Sequence, residues 1–297
     1  MTQLARVAVF LSALAACACL VAGELRAEQG AAASPAGTKK ISVAVITGGH
    51  AFEKDPFLKV FQGHEDIESA HLPQKDGGEI FDDISKWSYD TIVLYNFNQK
   101  LTDARRENLL KLLDKGVGLF ALHHAISGYT PNWPKYAEII GGRYYPVDTL
   151  ENGVKIRSGY KHGVRFKANV EDPNHPITKG VTDFEIVDET YCRYKVDPNV
   201  HVFLTTDEPT SEKAIGWVKS FGKARVCCVV LGHDSAAYAN KDFIRLVTQA
   251  VRWTAGRLPE GNIEANGATA ATRPAATKDA GKTDGGKPAV KTPAAQP

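Results

Sequence analysis

A short apolar run, Val117-Gly-Leu-Phe-Ala-Leu122, stops at two adjacent histidines, His123 and His124, and then meets a glycine at Gly128. Its length suits a strand, and its unbroken apolar character suits one covered on both faces, as in the middle of a parallel sheet. A strand of that kind commits the chain around it to alternating strands and helices. The carboxyl edge of an open α/β sheet is where ligands bind, so His123 and His124 stand where polar side chains serve a site. The alternative reading of the same position is a structural histidine that hydrogen-bonds a strand end.

The alternation is legible on both sides of this strand. Ile41–Ile46 reads as a strand ending in Thr47-Gly-Gly-His50, where Gly49 permits close approach of a ligand and His50 reaches the same carboxyl edge. Two glycines without a following G-x-x-G do not make a dinucleotide fingerprint. Pro56–Phe61 opens a helix, Ile67–Leu72 and Thr91–Tyr95 read as strands, and Thr102–Lys115 as an amphipathic helix with Leu109, Leu110, Leu112 and Leu113 on one side. Thr102 is its N-cap, and Gly116 closes it. These elements predict a parallel sheet with right-handed crossovers.

After Gly141-Gly142 the pattern changes. Val164–Ala168, Phe184–Val187, Cys192–Val196 and His201–Thr205 are short β-like runs without a long helix, which predicts an antiparallel, β-rich insertion. The chain then returns to a buried strand, Arg225–Leu231, ending in Gly232-His233-Asp234. A last helix, Lys241–Trp253, carries Phe243, Leu246, Val247, Ala250 and Val251 on its inner stripe.

Both ends lie outside this pattern. Arg6 precedes an apolar run, Val7–Ala22, too short for a membrane span and shaped like a secretory signal. Val21-Ala-Gly23 offers ordinary cleavage, while Leu14-Ala-Ala-Cys17 resembles a lipobox whose cysteine is lipidated. Residues 1–27 are thus read as a leader that exports the protein, to the periplasm or beyond, in free or lipid-anchored form. Residues 28–39 and 258–297, rich in Ala, Gly, Pro, Thr and Lys, cannot bury enough surface to offset their ordering entropy and are expected to be a disordered linker and tail. One folded domain, 40–257, remains.

Of five cysteines, Cys17 and Cys19 lie in the leader. Cys227 and Cys228 are adjacent and project to opposite faces of a strand, so they do not pair with each other. A bridge from Cys192 to one of them stays open, but the favoured reading is three small buried hydrophobes. A net charge of +2 with no basic block in the domain argues against nucleic acid as a partner. In Asp188-Glu-Thr-Tyr191, Glu189 and Tyr191 share a strand face and Asp188 points the other way, which does not suit a glycosidase pair of acids flanking one bond.

The motifs TGGH at 47–50, LHHA at 122–125, NHPIT at 174–178, DETY at 188–191, W-x4-GKARV at 217–226 and LGHD at 231–234, closed by a helix ending in Trp253, resemble the ThuA-like (trehalose utilisation) family over residues 41–257. The resemblance implies a flavodoxin-like fold related to class I glutamine amidotransferases, with helices on both faces of the sheet. It also implies use of trehalose and related disaccharides, including 3-keto sugars. His123 matches the family's single histidine at the turn, His124 departs from it, and the pattern assigns the cleft-facing place to His123. Thr190 stands where the family has leucine, and Cys227-Cys228 where it often has aromatics. Class I amidotransferases place a nucleophilic cysteine at this turn, where the chain carries His123 and His124 instead, so that activity is disfavoured. Ser127 lacks the G-x-S-x-G setting of a serine hydrolase.

On this fold His50, His123 and His233 each end a strand, and Glu189 reaches over the same edge. Three imidazoles and a carboxylate suit zinc or another divalent metal with an open position; the alternative is a metal-free cleft that binds hydroxyls and moves protons. The expected catalytic residues are His123, Glu189, His233 and Tyr191. The expected substrate contacts are His50, Gly49, His124, Asp188 and Asp234, the two aspartates either orienting a histidine or capping a loop. A carbonyl polarised by a metal or a histidine, with a base removing the adjacent proton, leads to elimination, hydration or isomerisation. The expected function is therefore an exported sugar-processing enzyme of lyase, hydrolase or isomerase type. A non-catalytic carbohydrate-binding protein and an interaction module on an inactive amidotransferase-like fold are the other two classes.

Overall fold

The computed structural model describes residues 39–75 and 77–268; the leader, almost all of the linker and the tail beyond 268 lie outside them. Strand β1 (Ile41–Gly48) leads to the short helix α1 (Lys54–Lys59) and strand β2 (Ile67–Pro73). Next come β3 (Thr91–Asn96), α2 (Asp103–Asp114) and β4 (Gly118–Leu122). Thr102 caps α2 by accepting from the Arg105 amide, and Leu109, Leu112 and Leu113 are its buried stripe. Every residue of β3 and β4 is buried, as strands covered on both faces must be.

The second half begins with α3 (Pro134–Ile140) and the short strands β5 (Gly142–Arg143), β6 (Thr149–Glu151) and β7 (Val154–Ile156). Two long strands follow, β8 (Gly159–Val170) and β9 (Phe184–Cys192). The chain continues through β10 (Lys195–Val196), β11 (His201–Thr205), β12 (Ala214–Phe221) and β13 (Ala224–Val229). It closes with α4 (Ser235–Tyr238) and α5 (Lys241–Thr254), whose expected stripe is buried at all five positions.

Nine strands form one sheet in the order β2-β1-β3-β4-β13-β12-β11-β8-β9. The first five are parallel, and taken in chain order they run 2-1-3-4-5, the flavodoxin-like arrangement. The other four are antiparallel and extend the same sheet. The expected insertion is therefore not a separate layer. The turn Gly222-Lys223 joins β12 directly to β13, so the antiparallel half is sewn to the parallel half by a hairpin.

β11 pairs with β8 only at Val170 and Asn169, whereas β8 and β9 pair along most of their length. The far part of this two-stranded ribbon is thus free to leave the sheet. In a flat sheet β9 would stand about 24 Å from β4, five steps of strand spacing away. Instead Glu189 on β9 meets His123 just after β4 at 3.3 Å, so the ribbon arches back over the carboxyl edge of the parallel strands.

The expected start of the tail needs correction. Arg225 donates to the Leu258 carbonyl at 2.7 Å and Trp253 Nε1 to the Glu260 carbonyl at 2.6 Å. The Asn266 side-chain amide donates to the Val202 carbonyl and accepts from its N–H. Residues 258–268 are held by hydrogen bonds that a count of apolar side chains does not register. Cys192, Cys227 and Cys228 are free thiols, the last two buried in β13. Among the described residues no helix is long and apolar enough to cross a membrane.

Candidate functional site

Three loops at the carboxyl edge of the parallel strands build the site. After β1, Gly49 adopts φ +76°, and a Cβ there would lie 2.0 Å from the Phe97 carbonyl oxygen, so the two loops approach as only glycine allows. After β4 the chain enters a 3-10 turn, His123–Ser127, with His123 at φ +54°. A bulky residue in the left-handed region costs on the order of 1–3 kcal/mol and persists only when its surroundings fix it. Here the His123 ring is fully buried, and its Nδ1 donates to the Val230 carbonyl at 3.0 Å. In the neutral ring Nε2 then carries the lone pair, and Tyr191 donates its hydroxyl to it at 2.8 Å.

The third loop follows β13. Gly232 sits at φ +108°, with Phe243 against the place a Cβ would take. Its N–H and that of His233 donate to the buried Asp188 carboxylate at 2.6 and 2.9 Å, and Asp188 also accepts from the Glu189 N–H. Asp188 therefore orients His233 through the backbone and does not line the cleft. Burial pushes its carboxyl up to about 6, against the pull of His123 and the three N–H donors. Asp234 caps α4 by accepting from the Ala236 N–H, which is the loop-capping alternative.

On the opposite face of β9, Glu189 enters the cluster. Its Oε2 lies 3.3 Å from His123 Nε2 and 3.4 Å from His233 Nδ1, and the two imidazole nitrogens are 3.1 Å apart. Its Oε1 accepts from His162 Nδ1 at 2.9 Å. Burial pushes the Glu189 carboxyl up, but the neighbouring His123, Tyr191 and His233 side chains outweigh it and hold it below the usual range. The Tyr191 phenol is driven far above its ordinary value by burial and stays protonated. Burial, with His123 beside it, lowers His233.

Above the cluster lies a cleft of about 230 Å³. Phe97, Tyr144, Tyr160 and Tyr191 give it aromatic walls, and His50, His124, Ser127, His162 and Glu189 give it polar groups. His50 after β1 and Phe97 after β3 are among its lining, and the strand order reverses between those two strands, the place where flavodoxin-like sheets bind ligands. Tyr160 is 62% exposed at its mouth.

The structure brings together His123, Glu189, His233 and Tyr191 and leaves His50 out. His50 is exposed, donates to the Ala51 carbonyl, and its ring centre is 6.3 Å from that of His233. His124, an expected substrate contact although the cleft-facing place went to His123, lines the cleft, because a helical turn after β4 does not alternate faces. Neither His124 ring nitrogen has a side-chain or backbone partner of good geometry, and burial, with His123 next to it, holds the ring well below its ordinary value. His175 of the NHPIT motif is buried far from this cluster, stacked on Phe203. His162, Tyr144 and Tyr160 were not singled out by sequence. The signal for the first was the exposed alternation Tyr160-Lys-His162 before Gly163, a stretch where β8 is bulged against β9.

A family model described as ThuA, trehalose utilisation, matches residues 57–254. A ThuA-like protein from Parabacteroides merdae is similar at 18% identity and TM-score 0.61, over 78% of this chain and 99% of that one. Another from Bacteroides uniformis is similar at 19% identity and TM-score 0.55, over 78% and 98%. No curated protein sequence matches at a significant level. The family model spans most of the folded region and carries each site loop except that of His50, and on that match the chain belongs to the ThuA (trehalose utilisation) family.

Proposed function

We propose that this protein is a carbohydrate-processing enzyme that acts on a sugar ring bearing a carbonyl, with Glu189 as the base. The observation that carries this reading is that Glu189 is the one carboxylate among the described residues lining the cleft, and it is pinned between imidazoles. Hydrolysis of an ordinary glycoside by the usual route needs two carboxylates flanking the bond, and Asp188 is turned into the backbone instead. One base suffices where a carbonyl already acidifies the neighbouring C–H.

In a 3-keto sugar Glu189 would take the proton from C2, and electrons would move onto the carbonyl oxygen. Tyr191, whose phenol stays protonated, would turn its hydroxyl from His123 Nε2 to that oxygen as charge develops. Re-forming the carbonyl expels the glycosidic oxygen from C1, and that oxygen takes the proton that Glu189 removed from C2, returning Glu189 to the carboxylate. The product is an unsaturated keto-sugar and a free alcohol. The family's tie to trehalose utilisation supports a disaccharide as substrate, and the apolar run after Arg6 supports export.

The test is product analysis of a 3-keto-disaccharide and its unoxidised parent incubated with the full chain and with Glu189→Gln. The reading expects turnover of the keto form alone, reduced at least about 100-fold in the variant. The aromatic walls and exposed Tyr160 favour a second reading, a non-catalytic saccharide-binding protein, which saturable binding without product would establish.

A further inference from the structure

We infer that His123 Nε2, His233 Nδ1 and Glu189 Oε2 form a binding site for one divalent transition-metal ion, open on its cleft side. The inference deepens the proposed function by naming a cofactor for the same site, and it rests on the geometry of these three atoms.

The atoms make a nearly equilateral triangle with edges of 3.1, 3.3 and 3.4 Å. Within the triangle at most one edge can carry a hydrogen bond from each proton, and the Nδ1–H of His123 is already committed to the Val230 carbonyl on the other side of the ring. His123 Nε2 accepts from outside the triangle, from the Tyr191 hydroxyl at 2.8 Å, a bond that a bound ion would replace. A cation satisfies all three vertices at once. Nitrogen and oxygen ligands about 2.0–2.1 Å from a tetrahedral ion are separated by about 3.3 Å, which is the spacing found.

The supports of the three ligands are those of a metal site. The Val230 carbonyl fixes the His123 tautomer so that the Nε2 lone pair faces the triangle. Asp188 anchors the backbone of His233. His162 donates to the free oxygen of Glu189, leaving the other oxygen to the triangle. Two imidazoles and one carboxylate are a donor set for zinc, manganese, cobalt or iron(II), not for calcium or magnesium, which take oxygen ligands. Since Glu189 also lines the cleft, a substrate carbonyl or hydroxyl oxygen can complete the coordination from that side.

The experiment uses the full chain freed of metal by a chelator and titrated calorimetrically with zinc, manganese or cobalt(II) chloride alone, with the cobalt(II) visible spectrum recorded in parallel. The expected result is one ion per chain with nitrogen-ligand bands in the cobalt spectrum. Affinity should fall at least about tenfold in Glu189→Gln and in His233→Ala, and remain unchanged in His64→Gln, a histidine outside the site. His123→Asn, which tolerates the left-handed backbone, should lose the ion while keeping the wild-type melting profile of the chelated protein. Absence of saturable binding, or equal binding in wild type and all ligand variants, would overturn the site. Turnover of a keto-sugar undiminished after chelation would also overturn it while leaving the proposed function standing.

Discussion

Glu189 Oε2 lies 3.3 Å from His123 Nε2, although the strands that carry them are separated by four others in the sheet. The contact exists because the β8/β9 ribbon arches over the parallel strands. Glu189, Tyr160 and Tyr191 therefore come from one half of the sheet, and Phe97 and the strained histidine turn from the other. The site is made only when both halves are in register.

Asp188 holds this junction together, so Asp188→Asn replaces one acceptor oxygen with an NH2 group facing backbone donors. Charge-assisted bonds of this kind contribute about 1.5–3 kcal/mol. Urea unfolding should show a loss of that order, and kcat should fall more than KM rises because His233 loses its anchor. An unchanged unfolding midpoint would show that the three bonds do not support the loop.

Tyr160 projects into solvent at the cleft mouth and packs edge-on against the His162 ring. Covering some 40 Å² of it with the apolar face of a sugar stabilises the complex by about 1 kcal/mol at 25 cal/mol per Å². Tyr160→Ala should therefore weaken saccharide binding roughly fivefold and leave the melting temperature within a degree or so, measured by calorimetry and thermal scan. Equal affinity in wild type and variant would place the sugar elsewhere.

His175 gives a pH signature remote from the cleft. Burial, with His201 beside it, lowers its value from 6.5 to about 4, so the folded protein holds it neutral. Between those values the unfolded chain takes up a proton that the folded chain refuses. Stability is full above pH 6.5 and declines as the pH falls toward 4, by up to about 3 kcal/mol. Urea unfolding from pH 7 to pH 4 should show a decline that is shallower in His175→Leu. Parallel curves for the two proteins would show that His175 does not contribute it.

The parallel half of the fold was legible because buried strands and capped helices leave strong local patterns: Thr102 begins α2, and Phe243, Leu246 and Val247 face inward on α5 as their spacing requires. His123, His233 and Glu189 were legible as residues at strand ends or on one strand face, and Tyr191 as the neighbour sharing that face. His162 was not, since it joins the site through a ribbon that arches out of the sheet, a long-range event that β-period patterns do not encode. His50 lines the cleft but does not join the cluster of His123, Glu189 and His233. It ends the right strand, but the turn through Gly49 carries its ring past the cluster. The tail boundary was missed because Leu258, Glu260 and Asn266 are held through polar backbone bonds.

The most direct test of the central claim is proton exchange in D2O. A 3-keto-disaccharide is mixed with wild type or Glu189→Gln, and the C–H signals beside the carbonyl are followed by NMR, whatever product forms later. The account predicts that wild type replaces the C2 proton by deuterium, or delivers product from which that proton is lost, far faster than buffer. Glu189→Gln should be slower by about 100-fold or more. Exchange at the buffer rate with wild type, or equal rates with the variant, would contradict the assignment of Glu189 as the base.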